Sequence, residues 1–269
     1  MVNFLHTYLP NPILVQFGPI SIHWYGLFVA LGIFVSVVVA SRLARTYGIS
    51  SEKVYDAGLY AVLGGLVGAR IYAVFLELPY YLAHPFEIIA IWHGGLAIHG
   101  GIIGAVAVLA WYCKKNHLPL WHMVDAAAPA LALGQAIGRF GNYFNQELFG
   151  TPTTLPWGIP IALQNRPEAY ASFTYFHPTF LYESFLNLLN FIILFILIKR
   201  LPATSYQLKR GTIFFVYLIN YAIIRILMEQ LRTDVTPEFS GVRVPILVSG
   251  LMIVLSVVAL GALYKKRIS

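Results

Sequence analysis

The sequence predicts an all-α integral membrane protein, a bundle of seven transmembrane helices with a small extracytoplasmic head. Three observations support this: the composition, the apolar runs and the placement of the basic residues. Hydrophobic residues make up 58% of the chain and charged residues 11%, whereas soluble domains carry about 25% charged residues. A soluble chain of this length would need a charged surface, so the apolar surface is expected to face lipid.

Seven apolar runs approach the length of about 20 residues that a transmembrane helix needs. They are Ile20–Ala40, Val54–Leu76, Ile88–Tyr112, Leu120–Phe140, Phe180–Ile198, Thr212–Leu231 and Val244–Leu263. The second, third and fourth are the least purely apolar. No basic n-region precedes the first run and no A-x-A-like site follows it, so we expect a retained helix rather than a signal peptide.

The chain is predicted to be a single polytopic membrane domain over residues 1–269. Residues 1–18 form an outer N-terminal arm, and residues 141–178 form the extracytoplasmic head segment. No internal repeat is evident, which disfavours a transporter built from inverted halves.

Lysine and arginine residues set the orientation of the predicted bundle, because cytoplasmic connections carry an excess of both. Those in alternate connections are Arg42, Arg45, Lys53, Lys114, Lys115, Lys199, Arg200, Lys209, Arg210, Lys265, Lys266 and Arg267. The N-terminus is therefore expected outside and the C-terminus in the cytoplasm, which requires an odd number of spans. This placement accounts for most of the net charge of +7 without a nucleic-acid partner.

Six arginines fall in predicted spans or on the outer side, where the positive-inside rule does not place them. They are Arg70, Arg139, Arg166, Arg225, Arg232 and Arg243. A charge near the bilayer centre costs at least a few kcal/mol, so ionisable residues within spans are candidates for function.

Arg225 and Glu229 lie four residues apart on the sixth predicted span, and Tyr221 lies one turn earlier on the same face. Arg225 and Glu229 could form a structural ion pair that joins helices, and the sequence supports this interpretation as well as it supports a functional role. Arg139 ends the fourth span, and the polar residues after it are too dense for a simple snorkelling arginine.

The third predicted span contains HGGLAIHGG at residues 93–101. His99 could exchange a proton near neutral pH. His93 and His99 are six residues apart, so they do not share a helical face, and we expect no bound metal. Tight helix packing is the simpler role for the glycines, which include Gly64, Gly68, Gly100, Gly104, Gly134, Gly138 and Gly141.

Several polar residues of different helices fall in the outer half of the predicted bundle. They are Tyr25, Arg139, Asn142, Glu147, Tyr182, Glu183 and Arg225. Arginine forks match a phosphate or carboxylate well, and an anionic headgroup in the outer leaflet lies at that depth. The residues alone therefore predict an anion site in the outer leaflet.

Five motifs resemble those of the bacterial prolipoprotein diacylglyceryl transferases. They are WYGL at 24–27, HGGLAIHGG at 93–101, GRFGNYFNQELFG at 138–150, HPTFLYE at 177–183 and YAIIRILMEQLR at 221–232. They occur in the family's order and spacing, and the resemblance covers essentially the whole chain. It implies a seven-helix bundle with a periplasmic head in the bacterial cytoplasmic (inner) membrane.

The resemblance also implies a reaction. The family transfers the diacylglyceryl group of phosphatidylglycerol to the lipobox cysteine thiol in the signal peptide of a preprolipoprotein. A thioether forms and glycerol phosphate leaves, as the first step of bacterial lipoprotein modification. No metal or organic cofactor is implied.

The resemblance assigns roles to individual residues. Arg139 and Arg225 match the residues that hold the phosphate, and His99 matches the histidine proposed as the base. The implied phosphatidylglycerol-binding residues are Tyr25, Arg139, Asn142, Glu147, Tyr221, Arg225 and Glu229. The base stays open, because nearby positive charge alone could activate a thiol.

Other functions are open on the residues alone. A channel would need polar residues through its full depth, whereas the inner halves of the fifth and seventh spans are almost wholly apolar. A serine protease would need a nucleophile elbow, which is missing, and an alcohol phosphotransferase would need several aspartates on one span. A non-catalytic lipid-binding scaffold would keep the same arginines, so only turnover separates it from an enzyme.

Overall fold

The structure is a computed structural model that describes residues 2–18, 20–200 and 208–265. Within them the chain is mostly helical, as predicted. The helices are α1 Val2–Thr7, α2 Trp24–Ala44, α3 Ser51–Leu76, α4 Leu78–Ala83, α5 Ile98–Lys115, α6 Leu120–Phe144, α7 Thr179–Arg200, α8 Thr212–Glu229 and α9 Val244–Lys265. The basic residues Lys266 and Arg267 lie outside the described residues.

Three short antiparallel hairpins accompany the helices. The pairs are β1 Ile13–Phe17 with β2 Ile20–His23, β3 Ile159–Pro160 with β4 Tyr175–Phe176, and β5 Glu238–Phe239 with β6 Val242–Arg243.

Five helices of the described chain are long and apolar enough to cross a membrane: α2, α3, α7, α8 and α9. The shortest has 18 residues and spans about 27 Å at about 1.5 Å per residue, close to the hydrocarbon thickness of a bilayer. The chain is therefore a multi-pass membrane protein. Helices α5 and α6 are not in this group, and the count of seven spans stays a prediction.

The third predicted span is wrong in its first part, because α5 begins at Ile98 rather than at Ile88. Gly94 and Gly95 adopt φ angles of +89° and +67°, which a right-handed helix does not accommodate. Short 3-10 turns replace the predicted helix before this point. The HGGLAIHGG motif is thereby divided, and only its second half, with His99, is helical.

Two other boundaries differ from the prediction. Residues Ile20–His23 pair with β1 as a strand, so α2 begins at Trp24. Helix α6 continues to Phe144, so Asn142 lies in its last turn rather than in an exit loop.

The chain forms two compact units, residues 1–40 with 125–269, and residues 41–124. In the second unit α3 packs closely against α5 through glycines. A Cβ placed at Gly68 would lie 3.0 Å from the Cα of Gly104, and one at Gly65 would lie 3.3 Å from the carbonyl oxygen of Gly101. The predicted small-residue packing is confirmed here.

In the first unit, glycines bring α2 against α6. A Cβ at Gly134 would lie 2.9 Å from the carbonyl oxygen of Gly32, and one at Gly141 would lie 3.0 Å from Cδ2 of Tyr25. Gly138 does not fit the prediction, because among the described residues nothing lies within 4 Å of a Cβ placed there.

The segment between α6 and α7 is folded around its own apolar core. Hairpin β3–β4 and two 3-10 turns form this segment. Its core joins the ends of both helices and consists of Tyr143, Phe149, Ile159, Ile161, Phe176 and Phe180. The end of α6 and the start of α7 are therefore held together by a common cluster.

Candidate active site

Arg139, near the C-terminal end of α6, forms an ion pair with a buried carboxylate on α7. Its Nε lies 2.6 Å from Oε2 of Glu183, and Oε1 of Glu183 lies 2.6 Å from Nη2 of Arg232. The Glu183 side chain is 4% exposed, whereas that of Arg139 is 21% exposed. One buried carboxylate therefore holds two guanidinium groups, of which Arg139 still reaches the surface.

The other side of Arg139 contacts the polar residues of the GRFGNYFNQELFG segment. Its Nη1 donates to Oδ1 of Asn142 at 3.3 Å, and Nδ2 of Asn142 donates to Oε1 of Glu147 at 2.7 Å. Tyr25, in the first turn of α2, interacts electrostatically with both Glu147 and Arg139. The structure thus brings together four residues that the sequence predicted for one site.

Arg225 and Glu229 form the predicted pair on α8, with Nη2 of Arg225 2.9 Å from Oε2 of Glu229. Glu229 is buried and also contacts Arg243, whose Nε lies 3.2 Å from Oε1. The Arg225 guanidinium interacts electrostatically with Arg232 and Glu183. The Arg139 and Arg225 ion pairs therefore belong to one charged cluster.

Arg243 fastens this cluster to the chain that precedes α9. It donates from Nη1 to the carbonyls of Glu229 at 3.0 Å and Arg232 at 3.2 Å, and from Nη2 to that of Asp234. Its Nε donates to Oγ1 of Thr236 at 2.7 Å. Arg243 is therefore committed to structural bonds and offers little to a ligand.

Positive charge exceeds negative charge in the cluster. Four arginines face the two buried carboxylates of Glu183 and Glu229, and Glu147 is exposed. Arg139, Arg225 and Arg243 remain about one-fifth exposed, whereas Arg232 is only 3% exposed. Because Arg243 is committed to its structural bonds, a phosphate or carboxylate arriving from outside would meet the forks of Arg139 and Arg225, which suit either anion.

Tyr221 lies one helical turn before Arg225 on α8, as predicted. It interacts electrostatically with Arg225, and its ring lies 6.2 Å from that of Tyr217. Its hydroxyl is thereby placed beside the charged cluster.

His99 occupies the first turn of α5 and is exposed. Its ring centroid lies 6.1 Å from that of Tyr72, a neighbour on α3. His99 belongs to the unit of residues 41–124, whereas the arginine cluster belongs to the other unit.

Gln146 connects the site to its surroundings, and sequence reasoning missed it. Its Nε2 donates to the carbonyl of Pro10 at 2.9 Å, and its Oε1 accepts from the backbone of Ala162 at 2.7 Å. Gln146 and Leu148 both adopt positive φ angles, 51° and 55°, which side chains other than glycine rarely adopt. These bonds hold the strained turn that follows Asn142.

The sequence placed Glu183 among the polar residues of the predicted anion site but did not identify its partners, and it gave no site role to Arg232 or Arg243. The two arginines were visible as charges that the positive-inside rule does not explain. Glu183 was visible as a carboxylate one turn into the fifth span. Their partners lie about 10 to 50 positions away, so no local spacing could have identified the pairs.

His177, just before α7, belongs to a neighbouring hydrogen-bonded chain. Nε1 of Trp157 donates to the hydroxyl of Tyr182 at 2.8 Å, and that oxygen lies 3.2 Å from Nδ1 of His177. Burial lowers the pKa of His177, because it disfavours the charged imidazolium. The Tyr182 hydroxyl can then donate to the neutral ring.

Residues 12–262 match the family model described as prolipoprotein diacylglyceryl transferase. The chain is 44% identical over 255 residues to a phosphatidylglycerol–prolipoprotein diacylglyceryl transferase of Synechococcus elongatus, covering 95% of this chain and 88% of the relative. The enzyme of the same name from Trichormus variabilis is 44% identical over 264 residues, covering 98% and 93%. That of Prochlorococcus marinus is 37% identical over 285 residues, covering 98% and 94%.

Proposed function

Because the chain belongs to the prolipoprotein diacylglyceryl transferase family, we propose that it transfers the diacylglyceryl group of phosphatidylglycerol to a preprolipoprotein. The acceptor is the lipobox cysteine thiol of the signal peptide. The carbon–sulfur bond of a thioether forms, the carbon–oxygen bond to the phosphate breaks, and glycerol phosphate leaves. This is the first step of bacterial lipoprotein modification.

The charged cluster supports this reaction, because the leaving group is an anion. As the carbon–oxygen bond breaks, negative charge grows on the phosphate oxygen, and fixed cationic donors stabilise it there. Arg139 and Arg225 are partly exposed members of the cluster, and unlike Arg243 they are not held by several backbone carbonyls. Glu183 and Glu229 hold these guanidinium groups in place, so little reorganisation accompanies the reaction.

Tyr25, Asn142, Glu147 and Tyr221 complete the proposed headgroup site. Glu147 is exposed and accepts from Asn142, so its free oxygen could accept from a glycerol hydroxyl. The Tyr25 and Tyr221 hydroxyls offer polar contacts beside Arg139 and Arg225. A neutral polyol and an anionic phosphate would then find matching partners in one site.

The acceptor thiol must lose its proton before it attacks the glyceryl carbon. His99 is the proposed base, because a neutral imidazole nitrogen can accept the thiol proton. The alternative is activation of the thiol by the positive field of the arginines alone.

The proposed location is the bacterial inner membrane, with the N-terminus outside and the C-terminus in the cytoplasm. Basic residues in alternate connections support this orientation. It would put the charged cluster at the outer leaflet, beside the headgroups of the lipid substrate. Both substrates are membrane-bound, so access between helices is expected.

The observation that carries the proposal is the pair of partly exposed arginines, Arg139 and Arg225, held by buried glutamates within a chain of this family. The test is purified protein in liposomes with phosphatidylglycerol and a lipobox peptide. Mass spectrometry should detect diacylglyceryl addition to the cysteine and an equal amount of released glycerol phosphate. A peptide with serine in place of the cysteine is the matched control and should stay unmodified.

The rival functions give different results in the same experiment. Binding of phosphatidylglycerol without any modified peptide would indicate a lipid-binding scaffold. Ion flux across the liposomes without lipid chemistry would indicate a channel. Either result would overturn the proposed transferase function.

A further inference from the structure

Arg70 is a buried arginine for which neither topology nor the charged cluster provides a role. It lies on α3, near the end of the helix, and is 7% exposed. Its partners all belong to the same compact unit, residues 41–124. A buried guanidinium needs compensation for its lost hydration, so its partners indicate what it does.

The Arg70 side chain binds five backbone carbonyls of one irregular segment. Nε donates to Ile88 at 2.9 Å, and Nη1 donates to Gly94 at 2.6 Å and to Gly95 at 2.8 Å. Nη2 donates to Glu87 and, at 3.4 Å, to Ala90. A guanidinium has five N–H donors, so this set, which we call the Arg70 cluster, uses its full capacity.

The segment needs these bonds because it has no regular hydrogen-bond ladder. Residues 84–97 form only two 3-10 turns and irregular chain between α4 and α5. A carbonyl that loses its water partners needs another donor, above all in an apolar membrane environment. Arg70 supplies the missing donors, and the ring of Tyr81 lies 5.0 Å from its guanidinium carbon.

The Arg70 cluster ends directly before α5. The backbone N–H of Ala97 donates to the carbonyl of Ala69, the residue before Arg70, at 3.1 Å. Helix α5 then begins at Ile98, and His99 is its second residue. The position of His99 is therefore tied to α3 through Arg70 and the backbone that Arg70 holds.

We infer that Arg70 is a positioning residue for the transfer reaction, which acts by holding residues 87–95 so that α5 presents His99 correctly. This inference rests on the proposed function and on His99 as the proposed base. Lysine cannot replace arginine here, because its three donors sit on one atom and cannot reach five separated carbonyls.

The first variant is Arg70→Lys, which keeps the charge and removes the fork. We expect kcat for peptide modification to fall about tenfold to a hundredfold, as for a misplaced catalytic group. The KM for phosphatidylglycerol should stay unchanged, because the proposed lipid-binding residues belong to the other unit. If Arg70 had a purely structural role, Arg70→Lys would lower the thermal midpoint but leave kcat per folded molecule at the wild-type value.

Glycine variants test the same cluster without changing Arg70. A Cβ at Gly95 would lie 2.6 Å from both Nη1 of Arg70 and the hydroxyl of Tyr81, whereas the described residues leave open space around Gly94. Both glycines have positive φ, so Gly94→Ala is a control that strains the backbone of the same segment without placing a Cβ against Arg70. Gly95→Ala should reduce kcat more than Gly94→Ala. Combined with Arg70→Lys, it should cause little further loss, because both changes break one cluster.

Glu52→Gln is the second control, since Glu52 is exposed in the first turn of α3 and lies outside the Arg70 cluster. This variant should keep wild-type kcat.

A spin label at position 92, introduced as Trp92→Cys with Cys113→Ser, should become more mobile in Arg70→Lys. An active wild type with an equally active Arg70→Lys would overturn the inference. If the wild type makes no thioether, the proposed function is overturned. The mobility of the spin label would then still show whether Arg70 holds residues 87–95 in place.

Discussion

Glu183 is the residue on which the geometry of the site depends most directly. It lies on α7 and binds Arg139 of α6 and Arg232, which follows α8. Buried ion pairs gain little net stability over apolar packing, but removal of one partner leaves an uncompensated charge. Glu183 therefore matters because two guanidinium groups depend on it at once.

Replacement of Glu183 by glutamine should destabilise the protein strongly. Glutamine keeps the shape but removes the charge that neutralises Arg139 and Arg232, so we expect a loss of about 3 kcal/mol. Unfolding of the purified protein in detergent measures this change.

Glu168→Gln is the matched control for this prediction. Glu168 is an exposed glutamate in a 3-10 turn of the segment between α6 and α7, and its replacement should change stability by at most about 0.5 kcal/mol. Equal stability of the two variants would show that the Glu183 charge contributes nothing.

At the scale of the elements, close contact between α2 and α6 brings Tyr25 to Arg139. Gly32 and Gly134 permit this contact. Ser36 of α2 reinforces it, donating to the carbonyl of Ala130 at 2.8 Å and to that of Gly32 at 2.7 Å. The distance between the helices is thus set by residues about one to three turns away from the site.

Gly134→Ala should push α2 away from α6. The new Cβ would meet the backbone of Gly32 and the hydroxyl of Ser36, and overpacking of this kind costs about 1–3 kcal/mol. We expect a lower thermal midpoint and reduced transfer. Gly138→Ala is the control on the same helix, where open space leaves only the better helix propensity of alanine. If both variants behaved alike, the glycine contact would not set the helix distance.

The segment between α6 and α7 should respond to pH through His177. Burial lowers the pKa of His177 in the folded protein. While the pH stays above the ordinary histidine pKa of about 6.5, this group is neutral in both the folded and the unfolded chain and does not lower the stability. As the pH falls below about 6.5, the unfolded chain takes up the proton first, and the folded state loses stability. Thermal midpoints measured between about pH 7.5 and 5.5 should therefore fall more for the wild type than for His177→Gln. Parallel curves would contradict this expectation.

The predictable parts of the structure were those with local signals. Apolar runs located the long helices, and paired charges four residues apart located Arg225 and Glu229. The start of α5 was missed because an apolar run conceals a break at Gly94 and Gly95, which long-range bonds from Arg70 stabilise. Glu183 could be noticed as a charge in a span, but only the fold determines which arginines it binds.

At the scale of the whole molecule, the described chain consists of two units with different contributions. The unit of residues 1–40 and 125–269 contains the arginines proposed to hold the phosphate, and residues 41–124 contain His99 and the Arg70 cluster. In the proposed reaction the arginines hold the phosphate and stabilise it as it leaves, and the proposed role of His99 is to take the thiol proton. Arg139→Ala and Arg70→Lys therefore test different groups, the first the leaving phosphate and the second the thiol.

The most direct test of the central claim is the rate of thioether formation by Arg139→Ala, measured with phosphatidylglycerol and a lipobox peptide. Removal of a preorganised donor to the leaving phosphate should reduce the rate by about a hundredfold or more, while the variant still inserts into the membrane. Arg166→Ala is the control, because Arg166 donates only to the backbone carbonyls of Ile161 and Ala171 among the described contacts, and it should keep most of its activity. Thioether formation by Arg139→Ala at the wild-type rate would contradict the account.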